Sequence, residues 1–407
     1  MSANTRGAGT NQEGVRRHNL GTLLRHVHRT GEISRAELTT QMGLNRSTIA
    51  ALVAELESRG LLEQGTSSTG RRSAGRPSPS VRLAGTGPYV VAVDLGVDRA
   101  VAARVGLGGQ VFERAEATIA PGAEAWQVGA AVAGLIRHVV AVADRSTSLL
   151  GIGVSVPGMI RRSDGLIRQA PNLGWQDVSF GSILLAALGL DVPVTLGNDG
   201  DLGAFAEHRR GVGIGVDDLV YISGNVGVGS GVIAGGMRIQ GAGGYAGEIG
   251  HLSFDPAGAP CHCGSRGCWE TVVGAHAIAE AIGCPAEQVV RLGEVLDGYA
   301  TPPRALRPIA ANLGRGLAAV ANAFNPSMLI LGGYFRPLHR LLRAEITAGL
   351  AERALGPAKE ALRITSPGLG GDSVLLGAAE IALEPVLTDP IGSLAAGVQD
   401  AHARLAG

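Results

Sequence analysis

Glu248-Ile-Gly-His251, followed by Cys261-His-Cys-Gly-Ser-Arg-Gly-Cys268-Trp-Glu270, is the densest run of chemistry in the 407-residue chain. Three thiols fall within eight residues, and Gly264 and Gly267 allow the backbone to curl around a common centre. Three thiolates and one imidazole make a closed tetrahedral Zn²⁺ site, structural because no position is left for water. The candidate imidazoles are His251 and His262. His262 lies between two thiols, where its side chain is expected to point away, so His251 is favoured as the fourth ligand beside Cys261, Cys263 and Cys268. Cys284 stands alone and reads as a small apolar residue.

Outward from this run the texture is α/β. Short apolar strands, Tyr89–Asp94, Val101–Val105 and Leu150–Val156, alternate with a helical stretch around Ala125–Ala143. A second half begins near Leu219–Ser223, and Met328–Leu331 reads as a late strand entering the Gly332-Gly333 turn. The length predicts two or three domains. No segment approaches the roughly 18 apolar residues of a spanning helix, and Met1–Gly14 has no signal-peptide core. A cytoplasmic location with reduced thiols is the expectation.

The N-terminal part differs from the rest in charge. Residues 1–86 hold 12 Arg, no Lys and 6 Glu, a balance of +6 that the remainder offsets at −6. A basic head on an acidic body predicts that the head meets a polyanion. Residues 1–15 are polar and aperiodic and read as a disordered tail. From Arg16, Leu20, Leu23, Leu24 and Val27 recur at helical spacing up to Gly31. Ser34-Arg-Ala-Glu37 is a capping box opening a short helix to about Met42. Gly43 turns the chain, Asn45 can cap a third helix, and Ile49, Leu52, Val53 and Leu56 form its buried stripe. Glu63–Ser80 is rich in Gly, Ser, Pro and Arg, with Val81–Leu83 as a return strand. Residues 16–84 thus read as a winged helix-turn-helix for double-stranded DNA. Arg46, Ser47, Thr48 and Ala51 would face base edges, and Arg71, Arg72 and Arg76 on the wing would meet phosphates or the minor groove.

The Glu-x-Gly-His and Cys-x-Cys-Gly-x-x-Gly-Cys-x-Glu motifs resemble the signature of the ROK family (repressors, open reading frames and kinases), over about residues 17–385. The resemblance implies a two-lobed, actin-like sugar-kinase fold behind the head. Its first lobe would span 87–200 and its second 201–385, with 386–407 packing back on the first lobe. It implies a sugar-binding set of Asn172, Asn198, Asp199, Glu248, His251 and Glu270, with His251 serving metal and sugar at once. Members acting as repressors carry a fused head, and the stand-alone kinases lack one. The implied partners are a palindromic operator and a second copy of the chain, as homodimer or homotetramer.

Kinases of this family carry Asp-x-Gly-Gly-Thr in the first lobe, where this chain has Asp94-Leu-Gly-Val97-Asp98. Val97 adds a side chain where backbone must approach phosphate, and Asp98 adds a like charge. A second phosphate loop, Gly-Thr-Gly in kinases, aligns here with Asn225-Val226-Gly227. Asp199, the general base of active members, is retained, as a sugar-binding repressor would also retain it. The expectation is a sugar-responsive regulator of the repressor class that binds without phosphorylating. The alternative is a bifunctional ATP-dependent sugar kinase with a regulatory head.

Overall fold

The computed structural model describes residues 12–65, 79–144, 147–399 and 401–405. Helices Gln12–Thr30, Arg35–Met42 and Arg46–Ser58 pack together through Leu20, Leu24, Leu38, Ile49, Val53 and Leu56, all buried. Caps fix where they begin. Ser34 Oγ accepts from the Glu37 amide at 3.1 Å, and Glu37 Oε2 accepts from the Ser34 amide at 3.0 Å. Asn45 Oδ1 takes the Thr48 amide at 2.8 Å. A three-stranded antiparallel sheet in the order Glu32–Ser34, Ser80–Leu83, Leu62–Gln64 completes a winged helix-turn-helix. The polar tail ends earlier than expected. Gln12 to Val15 already belong to the first helix, where Glu13 complements the helix dipole and Arg17 Nε reaches its carboxylate at 3.2 Å.

Two large sheets make the body, with a small antiparallel one of Trp175–Val178, Ile167–Ala170 and Met159–Ile160 beside them. The first runs Val194–Asn198, Ser148–Val156, Tyr89–Leu95, Arg99–Gly106, Val111–Thr118. Side chains alternate across it. Val91 and Val93 join the core with helices Ala125–Ala141 and Phe180–Leu188, whereas Val90 and Ala92 face helix Ser373–Thr388 and the core it shares with the head. The second sheet runs Met237–Arg238, Val228–Ala234, Leu219–Gly224, Met328–Gly333, Arg363–Thr365, with helices Leu306–Phe324 and Phe335–Arg353 in its core.

The sequence reading placed residues 373–385 in the second lobe; the structure returns them to the first. Helix Ser373–Thr388 lies on strand Ser148–Val156 so closely that a Cβ at Gly153 would enter the shell of the Ala378 carbonyl oxygen. Beyond it, Val398 pairs with Leu149 as a short antiparallel strand, and Ala401 and Leu405 join the same core.

Head and body meet along the first helix, which runs antiparallel to Ser373–Thr388. A Cβ at Gly21 would lie 2.7 Å from the carbonyl oxygens of Leu387 and Thr388. His28 is buried beside Glu380, its Nε2 3.2 Å from both carboxylate oxygens, while the Gly108 amide donates to Nδ1 at 2.9 Å. With Nδ1 accepting, the ring hydrogen is on Nε2 and the ring is neutral. Burial lowers the His28 pKa from 6.5, Arg210 and Arg209 lower it further, and Glu380 opposes them. Glu380 is held near about 2; burial pushes it up, but His28 and Arg210 outweigh that.

A pH dependence follows. The unfolded chain takes up a proton on His28 before the folded chain does, so this stabilisation is complete above pH 6.5 and lost as pH falls toward the lower folded value. The Glu380 contribution persists until pH falls below the ordinary carboxylate range toward about 2. Thermal melts between pH 7.5 and 5.5 are therefore expected to fall more steeply for the native chain than for His28→Gln. Parallel slopes would refute the assignment.

Candidate functional site

A cleft of about 220 Å³ opens between the two sheets, and all six residues of the expected sugar set line it. Asn198 and Asp199 stand where strand Val194–Asn198 passes into helix Asp199–Arg210. Asn198 caps that helix, accepting from the Asp201 amide at 3.1 Å, and donates from Nδ2 to the Gly158 carbonyl at 3.1 Å. Its amide is thus engaged at both ends and fixes the cleft floor. Asn172 enters from the turn Pro171–Leu173, Glu248 and His251 from the turn Ile249–His251 and the residue before it, and Glu270 from the start of helix Glu270–Val273. Glu270 Oε2 accepts from the Val228 amide at 2.7 Å, which ties the cysteine segment to the second sheet.

Carboxyls dominate the electrostatics. Burial raises Asp199 to about 6, and Asp94 on the first sheet adds to it, against the Gly200 amide and Asn225. Burial likewise raises Glu248 to about 7, helped by Asp199 and Glu270. Asp94 is raised by burial and lowered by Arg99. Arg99 is the sole Arg or Lys lining the cleft among the described residues. Such a surface offers hydrogen-bond acceptors to a neutral, hydroxyl-rich ligand and repels a polyanion. Val97, Asp98 and Val226 line the same cleft.

Sequence reasoning did not assign several lining residues to the site, Pro157, Gly158 and Met159 among them. His262 stays out of the thiol cluster, as expected, and lines the cleft, with Nε2 3.4 Å from Glu270 Oε1. Gln169 and Val290 also line the cleft, and nothing in their local sequence marks them.

His251, Cys261, Cys263 and Cys268 bring their ligand atoms within 4.8 Å of one another. His251 Nδ1 is 3.6 Å from Cys261 Sγ, and the Sγ atoms of Cys263 and Cys268 are 3.6 Å apart. Tetrahedral Zn²⁺ with ordinary Zn–S and Zn–N bonds separates its ligands by roughly 3.5–3.8 Å, so the donor set fits a structural metal. Gly264 (φ 91°) and Gly267 (φ 63°) supply the left-handed turns that fold the loop back on itself.

On the head, Arg46, Ser47 and Ala51 are exposed and Thr48 half-buried along the start of the third helix. Ser47 Oγ donates to the capping Asn45 at 2.7 Å, leaving Arg46 as the long side chain there without an ion pair among the described residues. Arg71, Arg72 and Arg76 lie outside the described residues.

Known proteins agree with this architecture. Residues 90–384 match the ROK family and residues 21–73 the MarR family. The chain is similar to a xylose repressor of Bacillus spizizenii, 28% identical over 92% of this chain and 97% of that protein. It is similar to a solved ROK family transcriptional regulator, described as a homolog of the E. coli MLC protein, with TM-score 0.75 and 26% identity over 93% of this chain and 99% of the other. A ROK family glucokinase from Streptomyces griseus, solved with glucose and AMPPNP, is 26% identical with TM-score 0.61, covering 73% of this chain and 99% of its own. The body is thus the actin-like sugar-kinase fold behind a winged helix-turn-helix. No helix among the described residues is long and apolar enough to cross a membrane. With its body matched across both lobes, the chain belongs to the ROK family.

Proposed function

We propose that this chain is a sugar-responsive, DNA-binding transcription regulator of the repressor class whose body binds a sugar without phosphorylating it. The observation that carries this is the cleft: half-buried carboxyls at Asp94, Asp199, Glu248 and Glu270, faced by one arginine, behind a DNA-binding head. Adjacent hydroxyls of a sugar donate to such carboxylates, and Asn172 and His251 supply further polar contacts. The similarity to a xylose repressor across nearly the whole chain supports the same reading. The metal would be Zn²⁺ on His251, Cys261, Cys263 and Cys268, holding His251 and Glu270 in place and doing no chemistry. Arg46, Ser47, Thr48, Ala51 and the wing residues Arg71, Arg72 and Arg76 would contact an operator. A homodimer or tetramer in the cytoplasm would read a palindromic site.

The test is thermal denaturation of the zinc-replete protein against D-xylose, D-glucose and N-acetyl-D-glucosamine, each with and without ATP-Mg²⁺. One sugar is expected to raise the melting temperature, ATP to add nothing, and Asp199→Ala to weaken that sugar by about 100-fold, some 2–3 kcal/mol of charge-assisted hydrogen bonding. Absence of any shift would remove the sensor reading. One observation favours a second reading: Asp199, raised to about 6, has the position and basicity of a general base. ADP release dependent on sugar and lost in Asp199→Ala would establish a kinase instead.

A further inference from the structure

Helix Asp199–Arg210 has one end in the cleft and the other in the seam between head and body. Its first residue lines the cleft and its last meets the head. Twelve residues at 1.5 Å each span about 18 Å.

The helix is gripped along its length. A Cβ at Gly200 would run into the Ser230 backbone, and one at Gly203 into the Tyr221 ring, so this face lies directly on the second sheet. On another face, a Cβ at Gly377 would meet the Leu202 carbonyl. Glu207, fully buried, accepts from the amides of Val212 at 3.0 Å, Gly368 at 2.9 Å and Leu369 at 3.0 Å, and from the Ser373 hydroxyl at 2.7 Å. A helix packed this closely moves as a unit with its surroundings.

At the far end, Arg210 Nε donates to Glu380 Oε1, and Nη1 donates to the Gly108 carbonyl at 2.6 Å and the His28 carbonyl at 3.3 Å. Arg210 Nη2 lies against the His28 ring. Arg209 Nη2 adds a bond to Glu384 at 3.1 Å. The head is therefore docked on a buried ion pair whose cation belongs to the helix that begins in the cleft. Buried pairs are intolerant of displacement, because a parted pair leaves uncompensated charge.

We propose that helix Asp199–Arg210 is the rod that couples cleft occupancy to the head, with His28, Arg210 and Glu380 as positioning residues that set the head's docking. The proposal rests on the reading that the cleft takes a sugar. A ligand that engages Asp199 shifts the rod, and the seam responds at its other end.

Hydrogen exchange on the full-length, zinc-replete chain tests this with D-xylose, D-glucose and N-acetyl-D-glucosamine as probes. A sugar that protects residues 196–203 is expected to change exchange in residues 20–31 by about threefold or more. In Arg210→Met the protection at 196–203 should persist and the change at 20–31 disappear. Arg210→Met/Glu380→Gln, which removes both buried charges, should behave likewise and covers the case in which the single variant fails to fold. A remote change that survives in these variants overturns the proposal. Cleft protection with no remote response in the native chain overturns the coupling and leaves sugar binding intact. Protection by none of the three sugars removes the input, and the sugar reading falls together with the proposal.

Discussion

Cys268→Ser is expected to reduce bound zinc from one ion per chain to a small fraction of that, read by elemental analysis. Cys268 is buried in the cysteine loop, and its backbone bridges to Ser253. Serine is a poor zinc ligand, and the three donors left would not close a tetrahedron. The loop holds Glu270, which fastens to the Val228 amide in the second sheet, so the loss propagates into the lobe. Loss of a structural metal belongs with the most destabilising single changes, so the effect on the second lobe should exceed about 4 kcal/mol. The head shares its core with helix Ser373–Thr388 and not with this loop, so operator binding at low temperature should survive. Cys284→Ser, away from the cluster, should keep both zinc and stability. Full stability without zinc in Cys268→Ser would contradict a structural metal.

A second large effect is expected from the smallest possible addition. Gly153→Ala places a methyl group against the Ala378 carbonyl, backbone against backbone, with no flexible side chain to give way. Helix Ser373–Thr388 must lift from the sheet, at about 3 kcal/mol or more. Gly134→Ala makes the same chemical change in helix Ala125–Ala141, where nothing lies within 4 Å of the new methyl group. It should stabilise by about 0.5–1 kcal/mol, because alanine favours the helix. Opposite signs in denaturant titrations would identify the crowding at Gly153 as the cause; similar signs would refute the tight packing.

Much of this molecule was legible in the sequence because its signals are local. The Ser34 and Glu37 capping box, the Asn45 cap and the glycines of the cysteine loop each act within a few residues. The structure reproduces them with the expected donors and acceptors. The cleft residues were legible for another reason: their spacing matched a family signature, and all six line one cleft. What stayed hidden depends on partners distant in sequence. Residues 373–385 look like a continuation of the second lobe until Gly153 is seen opposite Ala378. His262 was placed off the thiol cluster correctly, but its approach to Glu270 had no local signal. His28 carries no motif at all; its role is set by Gly108, Arg210 and Glu380.

Helix Ser373–Thr388 also imposes an order on synthesis. The head is made long before the surface that receives Gly21 and His28, whose Glu380 lies 352 residues further along the chain than His28. At roughly 5–20 residues per second, the head waits tens of seconds for that surface. A message broken before codon 373 would yield a head with nowhere to dock, and the first sheet would expose Val90 and Ala92 to solvent. Such a fragment presents the apolar surface that chaperones and proteases act on. The regulator's attachment of head to body thereby reports that translation has passed residue 388.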